Sequence, residues 1–274
     1  STFKLIDSLI DQSGHTGIKC SVGTNGKCEL LSNTITNNGY RGIHIESPNG
    51  GNINNNYVTI SQNVISDNVN RAIYLGRAKT MSVTNNTISD NGSGIVCDEF
   101  SCLSEMFSQA SLTISNNIIT GNDNVSGYVG AGMYVAGYGD ANISVENNVI
   151  HKNVGVQYGG GWIDISDSVN LTFTGNQITN NSVPGSSLNY GSAGGFRIKS
   201  TSTGTINTSN NTISGNSSPI YGGLHLSLIP HGTGSTGTQE FNGNTITENV
   251  STAGSHVIQL TIEHQNVFYQ NNIT

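Results

Sequence analysis

The sequence predicts an all-β solenoid, with short strands wound into about ten stacked coils as a single domain over residues 1–274. Three observations point to it. The first is composition: only 10% of residues are charged, while 38 are Asn, 35 Gly, 34 Ser and 27 Thr, against roughly 25% charged in an ordinary domain. The second is an eleven-residue frame that recurs ten times at a mean spacing of about 29 residues. The third is a four-residue element that follows most copies and alternates with period two, the pattern of a strand with one buried face. No segment holds an apolar period of 3.6 long enough for a helix. The 34% hydrophobic content, with Ile and Val regularly spaced, argues against disorder.

The frame reads apolar, x, apolar, x, x, Asn, x, Ile, x, x, Asn. It opens as FKLIDSLIDQS from Phe3, with Ser8 at the central amide position, and the second copy places Asn33 there. VTISQNVISDN from Val58 places Asn63, MSVTNNTISDN from Met81 places Asn86, and LTISNNIITGN from Leu112 places Asn117. ISVENNVIHKN from Ile143 carries Asn148, LTFTGNQITNN from Leu171 carries Asn176, and INTSNNTISGN from Ile206 carries Asn211. The last two copies carry Asn244 and Asn271. The second element reads Gly or Ala, apolar, x, apolar. It appears as GIKC at 17–20, GIHI at 42–45, AIYL at 72–75, GIVC at 94–97, GMYV at 132–135, GFRI at 195–198 and GLHL at 223–226. The sixth copy, GWIDI at 161–165, reads as shifted by one residue, with Ile163 and Ile165 inward.

A repeat this short cannot bury its own apolar face, so repeats must stack. A coil of three strands does this, each strand pairing in parallel with its counterpart one turn on, ~4.8 Å away. Ile35, Ile65, Ile88, Ile119, Ile150, Ile178, Ile213 and Ile246 then form one interior stack. The central Asn residues form a ladder at a corner, where an amide can bond the turn backbone and the next Asn while tolerating left-handed geometry. A propeller blade would need four antiparallel strands and hairpin turns, for which this repeat is too short. The N-x-I-x-x-N and G-I-x-I repeat resembles that of the right-handed parallel β-helices, the pectin-lyase-like superfamily, over nearly the whole chain. The resemblance implies a right-handed single-stranded parallel β-helix. It implies no one activity, because the group includes polysaccharide lyases, hydrolases and epimerases, phage tailspikes, adhesins and surface proteins.

In such a coil the outward residues of the G-I-x-I strand form a row: Lys19, His44, Tyr74, Val96, Tyr134, Asp164, Arg197, His225 and Gln259. A flanking row holds Glu46, Asp98, Ser166 and Lys199. This surface resembles the substrate groove of the polysaccharide-active relatives, which makes His44, Tyr74, Tyr134, Asp164, Arg197, Lys199 and His225 a candidate carbohydrate-facing set. Tyr74 and Tyr134 would stack on sugar rings, and Asp164 beside Arg197 and His225 would support acid–base chemistry. The alternative is an Asp164–Arg197 surface ion pair and ordinary exposed strand aromatics. GFRIK at 195–199 resembles the Arg-Ile-Lys strand of polygalacturonase-type hydrolases. The preceding turn, however, has Gly160 where that family has His, and the turn before it has no carboxylate, so that hydrolysis has no mechanism here. Asp98 with Glu99 is the best acidic pair, about three turns (roughly 14 Å) from Arg197, too far to act on one sugar. The Asp-Pro-His-Glu motif of alginate epimerases, metal-ligand spacings, a serine-hydrolase elbow and a phosphate loop are absent. Gly159–Gly161 and Gly222–Gly223 read as tight corners. No catalytic residue, metal or cofactor is expected.

The formal charge of −7, with ten scattered basic residues, argues against a nucleic-acid partner. No apolar run approaches the roughly 18 residues of a spanning helix, so membrane insertion is not expected. Cys20 with Cys28, and Cys97 with Cys102, bracket short turn-forming loops; two local disulfides are the economical reading, free thiols the other. Disulfides would imply a place outside the cell or on its surface; the lack of a signal peptide at Ser1 reads as a removed leader or, as the alternative, cytosolic residence. The first frame begins at Phe3 and the last stops at Thr274, so no terminal cap is evident and self-association end-to-end or laterally is expected. The leading functional reading is a non-catalytic extracellular structural block or adhesive domain. The alternative is a polysaccharide-binding or polysaccharide-degrading protein using the outward row.

Overall fold

Strands of three to five residues cannot satisfy their own backbone groups, which find partners only on the coils above and below. The computed structural model describes residues 1–46, 55–97, 109–124, 130–184, 192–229, 237–253, 256–262 and 271–274. Each coil gives one strand to each of three parallel sheets, and strand order within every sheet follows the sequence. Among the described residues the first sheet has nine strands, from Thr2–Ile6 to Gln239–Asn242; the second has ten, from Leu9–Asp11 to Asn272–Ile273; the third has nine, from Ile18–Ser21 to His256–Ile262. The chain is a single-stranded parallel β-helix of about ten coils. The expected isoleucine stack is present: Ile35 partners Ile65, Ile65 partners Ile88, and the column continues in register to Ile246, all within the core.

The amide ladder is doubled. The column from Asn33 to Asn271 runs between the first and second sheets, as the frame predicts. Asn86 is typical: its backbone N–H and its Nδ2 both donate to Asn117 Oδ1, at 3.0 and 2.9 Å, and Nδ2 also donates to the Ile60 carbonyl at 3.0 Å. The last Asn of the frame makes a second column after the second sheet, through Asn38, Asn68, Asn91, Asn122, Asn153, Asn181, Asn216 and Asn249. There Asn91 donates to Asn122 Oδ1 from N and Nδ2, at 3.1 and 3.0 Å, and to the Ile65 carbonyl at 3.1 Å. Ser8 and Ser13 start the columns by donating their backbone N–H to Asn33 and Asn38 Oδ1.

The left-handed residue of each corner is not the ladder Asn, as the sequence suggested, but the one before it. Ser32, Gln62, Asn85, Asn116 and Asn147 have φ of 54–60° at the first corner, and Asp67, Asp90 and Lys152 of 53–56° at the second. The division follows from chemistry: the ladder amide must aim along the axis, so the exposed neighbour takes the turn. Where that neighbour is Gly175 or Gly243, φ is 66° or 64°.

The glycine opening the G-I-x-I element has a different cause from the tight corner expected at Gly160 and Gly223. It marks the place where successive coils come closest. A Cβ on Gly94 would lie 2.0 Å from the Gly132 carbonyl oxygen; on Gly132, 2.2 Å from that of Gly160; on Gly160, 2.1 Å from that of Gly195; on Gly195, 2.2 Å from that of Gly223. Gly161, by contrast, occupies the inward position that Met133 and Phe196 hold on either side, and a Cβ there would meet the Phe196 ring at 2.6 Å. The sixth copy is therefore not shifted in register; it has given up one inward side chain to the Phe196 ring. Cys20 and Cys28 are joined in a disulfide as expected. Cys102 lies outside the described residues, and so does the expected pairing of Cys97 with it.

Candidate functional site

The outward row of the third sheet is set by register. Lys19 partners His44, His44 partners Tyr74, Tyr74 partners Val96, and Val96 partners Tyr134. The next member is Trp162 rather than Asp164, because Tyr134 partners Trp162, and Trp162 partners Arg197; His225 and Gln259 follow. Asp164 stands on the flanking row between Ala136 and Lys199, and its ion pair is with Lys199 Nζ at 3.4 Å. The misplacement came from treating Gly161 as the opening glycine of its copy, a role that belongs to Gly160.

The row is also less open than a groove for stacking sugars would require. Tyr134 is 3% exposed, Val96 is fully buried and His225 is 9% exposed. Tyr134 lies in a small apolar cluster with Val96 and Ala136, against Tyr74, Tyr138 and Trp162. Its ring stacks on Trp162 with centroids 4.7 Å apart and an interplanar angle of 30°. Tyr74, His44, Trp162 and Arg197 are half-buried and reach the surface.

Two arginine–aromatic clusters form on this face. In the first, the Arg41 and Arg71 guanidiniums lie 4.2 and 4.8 Å from the centre of the Tyr74 ring, and Arg41 also lies 4.7 Å over Tyr40. His44 meets Tyr74 edge-on at 5.2 Å, and its Nδ1 lies 3.1 Å from Arg41 Nη1. In the second, Arg197 donates to the Tyr158 hydroxyl and lies 5.5 and 5.6 Å over the Tyr158 and Trp162 rings. Burial raises the Tyr158 pKa against the opposing charge of Arg197, so the phenol remains protonated. Arg41 Nε, Trp162 Nε1 and Arg197 Nε are buried atoms with no hydrogen-bond partner, each orphan donor costing about 1–3 kcal/mol.

Arg41, Arg71, Tyr158 and Tyr221 escaped the sequence reading although a signal was present. Arg41 and Arg71 immediately precede Gly42 and Ala72, and Tyr221 immediately precedes Gly222. Tyr158 and Tyr221 stack in one column through bridges to Ala193. Extending the frame one residue upstream of the opening Gly or Ala reaches Arg41 and Arg71, and two residues upstream reaches Tyr158 and Tyr221.

Among the described residues, the third-sheet carboxylates Glu46 and Asp164 are each paired to a lysine. Glu46 accepts from Lys19 at 2.9 Å and from Ser21 at 2.8 Å, which lowers its pKa. Asp98 and Glu99 lie outside the described residues. Among the described residues no three His, Cys, Asp or Glu side chains converge on a metal-sized site, and no helix is long and apolar enough to cross a membrane.

His44 titrates below the ordinary histidine range, chiefly through burial and then through the Arg41 charge. An unfolded His takes its proton near pH 6.5, and the folded one does so only at lower pH. Between the two, acidification favours the unfolded chain, so stability should fall as pH drops through that window. His44→Gln should flatten this fall in denaturant midpoints measured from neutral to mildly acidic pH; an unchanged slope would show that His44 is not its source.

Residues 1–162, well over half of the chain, match the family described as right handed beta helix region. No curated protein and no solved structure matches the chain.

Proposed function

The chain belongs to the right-handed β-helix family, and we propose that it is a non-catalytic adhesive domain at the cell surface that holds an acidic polysaccharide on its third sheet. The observation that carries this reading is the segregation of chemistry. All four arginines of an otherwise acidic chain, at positions 41, 71, 77 and 197, lie on or beside third-sheet strands. Arg41, Arg71 and Arg197 lie over aromatic rings and remain partly exposed, so the face carries cationic charge at the surface. A carboxylate or sulfate on a flexible sugar chain complements that charge, while Tyr40, Tyr74 and Trp162 offer ring surface.

The non-catalytic part rests on the carboxylates. Glycoside hydrolysis needs two carboxyl groups with separate roles. Glu46 and Asp164 are each engaged with a lysine and stand on distant coils. Extracellular placement is supported by the Cys20–Cys28 disulfide. Self-association belongs to the same proposal, since a repeated face would gain avidity.

Affinity electrophoresis against pectate, alginate, a sulfated glycosaminoglycan and a neutral glucan tests the reading. Retardation by acidic polymers alone is expected, with a change in the emission of Trp162, the single tryptophan. Arg41→Ala and Arg197→Ala should each weaken binding roughly tenfold or more, the loss of a charge-assisted hydrogen bond. Equal binding of the neutral glucan, or release of unsaturated or reducing ends that Arg197→Ala abolishes, would overturn it.

A further inference from the structure

The second sheet presents a face that polysaccharide binding leaves unused. Its strands are in register from Leu9–Asp11 to Asn272–Ile273, so the residues flanking the buried isoleucines form two straight rows. One row runs Thr34, Val64, Thr87, Ile118, Val149 and Gln177; the other runs Thr36, Ser66, Ser89, Thr120, His151 and Thr179, with His151 Nδ1 2.8 Å from the Thr179 hydroxyl. The first is thus mainly methyl-bearing and the second mainly hydroxyl. From Thr34 to Thr247 neither row contains Asp, Glu, Lys, Arg, Phe, Tyr or Trp; His151 is the one titratable residue in them, and the exposed corner residues Asp67, Asp90, Lys152 and Glu248 border the hydroxyl row.

The face is also rigid. An Asn column runs along each of its edges and holds successive strands ~4.8 Å apart, while the two rows stand about 6.6 Å from one another. Val, Ile and Thr are stiff at χ1, so little side-chain entropy remains to be lost on binding. Thr36 and Ser66 hydroxyls are 3.1 Å apart, which orients them along the row.

These properties narrow the occupant. Ten strands of about three residues make a strip of roughly 43 by 10 Å, about 430 Å². That is near half of the ~800 Å² per partner of a stable protein interface, so a second copy is a poor fit. A flat strip has no concavity for a small molecule. The arginine–aromatic clusters that suit a glycan lie on the third-sheet face. What matches a periodic array of hydroxyl and methyl groups, with its charges confined to one edge, is a periodic array of water.

We infer that the second-sheet face binds ice. The hydroxyl row hydrogen-bonds to surface waters of the lattice, and the methyl row orders the intervening waters without the reorientation that a charge would impose. The double variant Thr87→Lys with Thr120→Lys places two charges on the strip; both side chains point outward, so the coil should fold as before, which circular dichroism and the denaturant midpoint will confirm. The intact chain should become enriched several-fold in a slowly grown ice fraction and should shape ice crystals under the microscope, while the double variant should be excluded from ice. Arg197→Ala, on the other face, should partition like the parent, which separates this proposal from the polysaccharide reading. Exclusion of the parent from ice, or equal incorporation of the double variant, would overturn it. So would a dimer in sedimentation, or retention on crystalline cellulose, that the double variant abolishes.

Discussion

Asn148→Ala is expected to destabilise the protein by about 3–5 kcal/mol, far more than an average surface change. The Asn148 side chain accepts at Oδ1 from the Asn117 N–H and Nδ2, both at 3.0 Å, and donates from Nδ2 to Asn176 Oδ1 and the Ile114 carbonyl, at 3.0 and 2.9 Å. Alanine leaves two donors of Asn117 unpaired where no water reaches them, and each such group costs about 1–3 kcal/mol. The neighbouring residue supplies the control. Asn147 is exposed, with φ of 54°, and glycine tolerates that geometry, so Asn147→Gly should change stability by no more than about 0.5 kcal/mol. Denaturant midpoints of the two variants decide the matter: equal midpoints would mean that the ladder is ornament. The cost should not stay local, because each amide polarises the next along the column.

Gly132→Ala should be as damaging, by about 3 kcal/mol or more, for the opposite reason. It removes no bond; it inserts a methyl 2.2 Å from the Gly160 carbonyl oxygen and 2.8 Å from the Ile150 side chain. The Gly160 carbonyl accepts the Met133 N–H at 3.1 Å, so relief of the clash must separate two coils that a hydrogen bond joins, the costly form of overpacking. Gly23→Ala, with nothing within 4 Å of the added Cβ, should be within about 0.5 kcal/mol of the parent. A Gly132→Ala variant with parental stability would mean that the coils can separate there at little cost. Ala72, the one non-glycine in the early part of this column, shows that the spacing varies from coil to coil.

The repeat, the three strands per coil, the isoleucine stack and the first amide ladder were legible in the sequence, because each depends on a pattern that one strand or one corner displays locally. Alternation reports which face of a strand is buried, and recurrence reports that the strands stack. The second ladder was equally visible, as the last Asn of the same frame, and needed only the same argument applied to a second corner.

Three features were decided by the tertiary structure. Trp162 rather than Asp164 joined the outward row because the Phe196 ring on the following coil claimed the space of an inward side chain at Gly161. Tyr134 and His225 were buried although they alternate outward, since alternation says which way a side chain points and not what lies against it. Arg41 and Arg71 came together over Tyr74 through the alignment of successive coils. Period and polarity along the chain therefore determined the architecture, whereas the site arose from contacts between residues some thirty positions apart, whose energies no local pattern records.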